Sequence, residues 1–197
     1  VSAHAQQFLR YEWALGAREF SGAELAIGDP EPVPVGTPSE HLYVEGKIDR
    51  VDLRAPGRLE LRDLKTGRAR DLSERPLELE TDLQLGVYVL ALEAAGLVPG
   101  ARPVAAAYVY SSTARDPERR FEGDLFAALH GHAETWIAAA RALLAAGAFV
   151  RTPSIDDCRY CPFVPHCGER AQVRSGEKLG RAAGDPALGG FLALKRR

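Results

Sequence analysis

The sequence contains no methionine and only three cysteines, all within Cys158–Cys167 near the C-terminus. A disulfide framework calls for an even number of dispersed cysteines, so that class is excluded and a reducing, cytoplasmic location is expected. No apolar run approaches the roughly twenty residues needed to span a bilayer, and no secretory leader pattern is present. A membrane partner is therefore not expected. A net charge of −2 over 197 residues excludes chains drawn to nucleic acid or membrane by overall charge alone. The missing methionine, a starting one included, leads to the expectation that residues precede Val1. What is present is an ordinary globular composition, with 46% hydrophobic residues and enough chain for one domain, or one with an appendage.

The rest of the chain is organised around the stretch Tyr43–Thr66 (YVEGKIDRVDLRAPGRLELRDLKT). It predicts two strands, Leu42–Arg54 and Arg58–Lys65, joined by a turn at Ala55-Pro56-Gly57. In the second strand Leu59 and Leu61 alternate with Glu60 and Arg62, the pattern of one apolar and one polar face. Asp63 and Lys65, two residues apart, fall on the same face. A hairpin centred on Pro56-Gly57 brings Asp49 opposite Asp63 or Leu64. Two carboxylates and an ammonium then converge at one end of a small sheet.

Elsewhere the pattern predicts a helix over residues 2–19, a strand at Ala23–Ile27 and a proline-rich loop at Glu31–Pro38. A helix follows from about Leu79 to Ala95, with Leu83, Val87, Leu90 and Ala91 as its stripe and Gly96 as its cap. Arg102–Ser112 predicts a strand, Ala114–Arg120 a charged loop, and Asp124–Gly147 a long helix facing inward through Leu125, Leu129, Trp136, Ile137, Leu143 and Leu144. Thr152–Asp157 predicts a loop, Glu169–Val173 a last helical turn or two, and the residues beyond Gly176 a mobile tail. This order gives an α/β fold with a mixed central sheet flanked by helices. The expected domains are a core over 1–150, a cysteine-rich segment over 151–175 packed on it, and a basic tail over 176–197.

Hard divalent cations such as Mg²⁺ and Mn²⁺ take oxygen ligands, commonly one or two carboxylates with waters and substrate phosphates. Asp49 and Asp63 supply that minimum, and the Leu64 backbone carbonyl is a candidate third ligand. Lys65 beside them can position a water or stabilise charge on a phosphate oxygen. A lone D-x-K is common on strands and carries little weight. Three motifs in order carry more: G-x-x-D-R (Gly46 to Arg50), D-x-K-T-G (Asp63 to Gly67) and Q-L-x-x-Y (Gln84 to Tyr88).

Together these motifs resemble the RecB-like branch of the PD-(D/E)xK nuclease superfamily, which includes the nuclease domains of recombination helicases of the AddAB and AdnAB kind. The resemblance covers about Ala23 to Arg170. It implies a restriction-endonuclease-like core and a metal-dependent DNA nuclease, exonuclease more than endonuclease, in DNA repair and recombination, with a helicase partner. An alternative is a catalytically silent relative serving as a DNA-binding scaffold. By resemblance Asp49 is the first metal-binding aspartate, Asp63 and Lys65 are the (D/E)xK pair, and Gln84 and Tyr88 lie on a helix beside the active site. Arg50, Arg62 and Arg68 are candidates for contacts with the DNA backbone. Glu24 and His4 are further metal-ligand candidates, although the family's histidine sits in a G-x-x-x-H setting that His4 lacks.

Cys158, Cys161 and Cys167 form C-x₂-C-x₅-C, a metal-ligand spacing in which one loop wraps one centre. Zinc is one reading. The resemblance implies instead a [4Fe–4S] cluster, whose fourth cysteine, upstream in the family, is absent from this chain.

Overall fold

The structure is a computed structural model that describes residues 2–16, 18–65, 82–110, 117–148, 151–159, 161–182, 184–186, 188–189 and 192. In chain order it contains α1 (Ala3–Ala14), β1 (Glu19–Ile27), β2 (Val33–Thr37), β3 (Glu40–Val44), β4 (Gly46–Ala55), β5 (Arg58–Lys65), α2 (Leu83–Ala95), β6 (Arg102–Tyr110), β7 (Glu118–Glu122), α3 (Asp124–Ala145), α4 (Val164–Cys167) and α5 (Ala171–Arg181). The chain divides into two compact units, Val1–Glu134 and Thr135–Arg197. The boundary falls inside α3.

The first unit holds a five-stranded mixed sheet in the order β1-β4-β5-β6-β7, with β2 and β3 forming a separate two-stranded sheet. Among the described strands only β5 and β6 run parallel, and α2 lies between them in the chain. This is the mixed α/β architecture expected from the sequence, consistent with a restriction-endonuclease-like core.

The hairpin forms as predicted at its turn and in β5. Its first strand is broken at Glu45: β3 pairs with β2, and only β4 enters the main sheet. The proline-rich stretch expected to be a loop contains β2. Pro34 is tolerated there because a two-stranded sheet consists only of edge strands. β7 also arises within a segment expected to be a loop. Its charged side chains are recruited by the sheet, a tertiary effect that local propensity cannot register.

The apolar core lies on the sheet face carrying Val51, Leu59, Leu61, Ala106 and Phe121, against Leu85 and Val89 of α2. Helix α2 buries Leu85, Gly86, Val89, Leu90, Ala91 and Leu92, a wider arc than the stripe through Leu83 and Val87. A helix apolar nearly all round shows no phase in its sequence. A Cβ on Gly86 would sit 2.8 Å from Ala133 Cβ and 3.1 Å from the Leu129 carbonyl, so glycine permits this close approach of α2 and α3. In α3 Leu129 and Ile137 are buried as expected, but Leu125, Trp136 and Leu144 are exposed, and alanines 133 and 139 take inward positions. The helical turn expected at 169–173 extends as α5 to Arg181, and Leu188 beyond it is buried. Part of the expected tail is thus helical, as α5 through Arg181.

Candidate active site

Strand β5 is central and buried on both faces, so its alternation sorts two kinds of buried environment. Leu59, Leu61, Asp63 and Lys65 share the α2 face, while Glu60 and Arg62 point to the other. The register Arg50↔Arg62 sets Asp49 beside Asp63, as the sequence predicted. Asp49 Oδ2 accepts a 2.7 Å hydrogen bond from the Leu64 backbone N–H. Across β6, Asp63 is level with Tyr108, and Tyr108 in turn with Arg119 of β7. One row of residues therefore crosses the sheet from Asp49 to Arg119.

Lys65 Nζ lies 2.5 Å from Asp63 Oδ2, donates to Gln84 Oε1 at 3.0 Å, and stands 5.2 Å from the centre of the Tyr108 ring. Gln84 Nε2 donates to the Tyr88 hydroxyl at 3.1 Å, one helical turn on. Tyr88 lies over Gly46, where a Cβ would come within 3.7 Å of its ring. The glycine of the first motif thus meets the tyrosine of the third.

Three members of this site were not read from the sequence. Burial, reinforced by the charges of Asp82 and Asp63, pushes the Tyr108 phenol well above its usual pKa, so it stays neutral beneath Lys65. Asp82 stands at the N-terminal boundary of α2 but does not cap it. Its carboxylate is 2% exposed and pairs with Arg119 at 3.1 Å. That pair ties the first turn of α2, and with it Gln84, to β7. The aspartate two residues before Gln84 was visible, but its partner lay in a segment read as a loop.

Other candidates are placed differently. Glu24 lies between Ala23, paired with Arg50, and Leu25, paired with Ile48, and so stands level with Asp49. Its φ of 49° is a left-handed value rare for a glutamate in a strand, and its exposed carboxylate is 3.3 Å from Lys47. His4 is exposed on α1, whose Glu12 engages the face opposite Asp63. Arg50 and Arg62 also belong to that opposite face. Arg62 is completely buried and held by Glu12 and Asp52, and Arg50 pairs with Asp52 at 2.8 Å and Glu12 at 3.2 Å. The expectation that Arg62 meets DNA is corrected by this burial, which leaves its guanidinium no surface for a phosphate. Arg50 is already committed to two carboxylates. Arg68 lies outside the described residues.

The same face carries a dense ionic layer. Glu60, with no exposed surface, receives Arg18 and Arg120 at 2.6 Å each and Arg54 at 3.4 Å. Burial alone would raise the Glu60 pKa, but the hydrogen bond and charge of Arg120, joined by Arg18, overcome it and hold the carboxyl below its usual range. Glu12 is likewise lowered: the Arg62 hydrogen bond and charge outweigh its burial. Tyr11 donates to Glu118, and burial together with that bond raises its pKa.

Among the described residues, no group of three or more His, Cys, Asp or Glu side chains is placed to hold a metal ion. Asp49 and Asp63 nevertheless fit the two-carboxylate minimum of a hard divalent cation, which completes its shell with waters and phosphate oxygens. Asp63 Oδ2 is sealed from solvent and, apart from the Lys65 ion pair, accepts no hydrogen bond among the described residues. Such a buried carboxylate oxygen is suited to a cation. Cys158, Cys161 and Cys167 are free and half-buried, and they do not gather into a ligand group. The expected iron–sulfur centre finds no support in this geometry. No helix among the described residues is long and apolar enough to cross a membrane.

A sequence model of the PD-(D/E)XK nuclease superfamily matches residues 2–168, and the chain belongs to that superfamily. Its members are generally nucleases that use Mg²⁺ or Mn²⁺, which makes DNA the expected substrate. Comparison with curated proteins gave no significant match.

Proposed function

We propose that this member of the PD-(D/E)XK superfamily is a divalent-metal-dependent DNA nuclease of the RecB-like branch, a nuclease module of a helicase–nuclease that processes DNA ends. The observation that carries the reading is the convergence of Asp49, Asp63, Lys65 and Gln84 at one end of β4, β5 and α2. Asp49 and Asp63 would hold the cation, with the Leu64 carbonyl and Glu24 as further oxygen donors. The ion, when bound, polarises the scissile phosphate and lowers the pKa of a coordinated water.

The chain's own groups supply the rest. Lys65 is fixed by a carboxylate, an amide oxygen and an aromatic face, so its ammonium is preorganised to neutralise charge gathering on a phosphate oxygen or to orient the attacking water. Gln84 holds Lys65, Tyr88 holds Gln84, and the Asp82–Arg119 pair holds the start of the helix that carries both. Loss of Mg²⁺- or Mn²⁺-dependent cleavage of linear DNA in Asp49→Ala, with an unchanged melting temperature, is the expected result. Native cleavage rates in that variant or in Lys65→Ala would overturn the reading.

The C-x₂-C-x₅-C run is proposed as a thiolate ligand set for a [4Fe–4S] cluster, with zinc as the alternative. Its support is the spacing alone. Iron, sulfide and zinc analysis of anaerobically purified protein decides it, and protein holding none of the three removes the proposal.

A further inference from the structure

A phosphodiesterase built on carboxylates must hold a polyanion near groups of the same charge, so the cations available for binding matter. Residues 1–134 contain 22 aspartates and glutamates against 15 lysines and arginines, while residues 135–197 contain 5 against 10. Six arginines of the acidic unit are also committed internally, although Arg10, Arg58 and Arg102 are exposed and have no carboxylate partner among the described residues. Arg18, Arg50, Arg54, Arg62, Arg119 and Arg120 each pair with a carboxylate, five of them in the ionic layer and Arg119 with Asp82.

The second unit differs. Arg170, at the N-cap of α5, is followed by Arg174, Lys178 and Arg181, all exposed. At about 100° per residue these four fall within an arc of about 80°, and the steps of four residues rise about 6 Å each. Ser175 and Leu179 form the buried face of the same helix. The Ser175 hydroxyl donates to the Arg151 carbonyl, and a Cβ on Gly176 would lie 3.8 Å from Pro153 Cβ. The segment beginning at Arg151 therefore runs beside α5. Arg151, Arg174 and Lys178 line a cavity of about 430 Å³ with Asp185 as its acidic member. Arg174 is oriented by its bonds to the carbonyls of Cys167 and Glu169, which leave its positive charge uncompensated. Arg181 has only an exposed contact with Glu177 at 3.8 Å. Arg151, Arg170 and Lys178 have no carboxylate partner among the described residues.

We propose that the basic stripe of α5, with Arg151, is a binding surface for the phosphate backbone of a DNA strand. The proposal rests on the nuclease reading and adds to it the place where the substrate's charge is neutralised outside the catalytic end of the sheet. A ladder of cations with no aromatic or amide groups interleaved reads charge and not sequence. An anionic membrane is the weaker occupant, because a helix lying on a bilayer presents its apolar face, and here that face is buried.

The test uses the full chain and a fluorescein-labelled single-stranded oligonucleotide in EDTA, with anisotropy titrations across a salt series. Lys178→Glu/Arg181→Glu is expected to weaken binding at least ten-fold. It should flatten the slope of log affinity against log salt by about 1.4, since each contact with a single strand contributes about 0.7. Arg151→Glu, which leaves α5 untouched, is expected to weaken binding several-fold. Arg58→Glu, at the opposite end of β5 from Asp63, makes the same change in total charge as Arg151→Glu and is expected to bind as the native chain does. Metal-dependent hydrolysis of bis(p-nitrophenyl) phosphate should remain unchanged in the α5 variant. Native affinity and slope in that variant, or an equal loss in Arg58→Glu, overturns the proposal while DNA cleavage by the native chain keeps the nuclease reading. Loss of binding to phosphatidylserine vesicles with DNA affinity intact also overturns it. A native chain that neither binds nor cleaves DNA removes both.

Discussion

The two faces of β5 are made from alternate residues of one eight-residue strand, yet they do different work. Towards α2, Leu59 and Leu61 continue the apolar core, and the same row ends in Asp63 and Lys65. Away from α2, Glu60 and Arg62 are just as deeply buried but lie in a layer where arginines and carboxylates compensate one another. Charges on the first face are few and incompletely matched, which suits the proposed uptake of a cation and a phosphate there. On the second face each buried charge has at least two partners, as the high cost of an unpaired buried ion demands. The lesson is that buried charge by itself does not mark a catalytic group. Whether its valence is already filled does.

This contrast can be broken most severely at the proposed catalytic row. Asp63→Asn is expected to reduce metal-dependent cleavage of linear DNA on the order of a thousand-fold with little change in melting temperature. Loss of folding with residual activity per folded molecule would mean that the faces had been assigned the wrong way round.

On the other face, Glu60→Ala leaves Arg18, Arg54 and Arg120 facing a vacated buried position. It should destabilise the chain by about 3–5 kcal/mol, read as a shift in the urea midpoint, and replacing Arg62 by methionine should behave similarly. The Asp82–Arg119 pair sits between these extremes. Arg119→Met removes the ion-pair partner of the buried Asp82 carboxylate and is expected to lower stability by about 2–3 kcal/mol. It should also lower kcat, because Gln84 loses its anchored turn. An Asp82→Arg/Arg119→Asp double variant that recovers part of both losses would sharpen the assignment.

A smaller effect is expected from Gln84→Ala: about a ten-fold loss in kcat with unchanged stability, since only the hold on Lys65 is removed.

The smallest effect is a pH dependence confined to the ionic face. Glu12 and Glu60 both titrate below the ordinary value of 4.5, so the folded state binds their protons less readily than the unfolded one. Their contribution is complete above that value and is lost as pH falls through the depressed folded values. The melting temperature should hold down to about pH 5 and then fall, and Glu60→Gln should flatten that fall.

How much of this was legible beforehand can be argued from particular residues. Asp49, Asp63 and Lys65 were found because a hairpin turn fixes register by counting, and Pro56-Gly57 marks the turn plainly. Gln84 and Tyr88 came from the Q-L-x-x-Y motif of the resemblance, and their spacing of one helical turn agrees with their meeting on one face of α2. Glu60 and Arg62 were misread as a polar, outward face, since the alternation of a half-buried strand and that of a strand buried in an ionic layer look alike in sequence. β2 and β7 were missed because Pro34 and a run of charges suppress local strand signals. Asp82, Tyr108 and Arg119 went unnoticed because each acquires its role only from partners distant in the chain.

The sequence by itself determined the hairpin, the convergence of Asp49, Asp63 and Lys65, and the superfamily, because these depend on short-range spacing and on residue chemistry that no packing can alter. Tertiary structure alone decided which arginines are consumed inside the sheet and which, such as Arg170 and Arg174 at α5, have no carboxylate partner among the described residues. Pairing between charges is a property of proximity in space, and the chain brings Glu12 to Arg62, or Glu60 to Arg120, only after the sheet has formed.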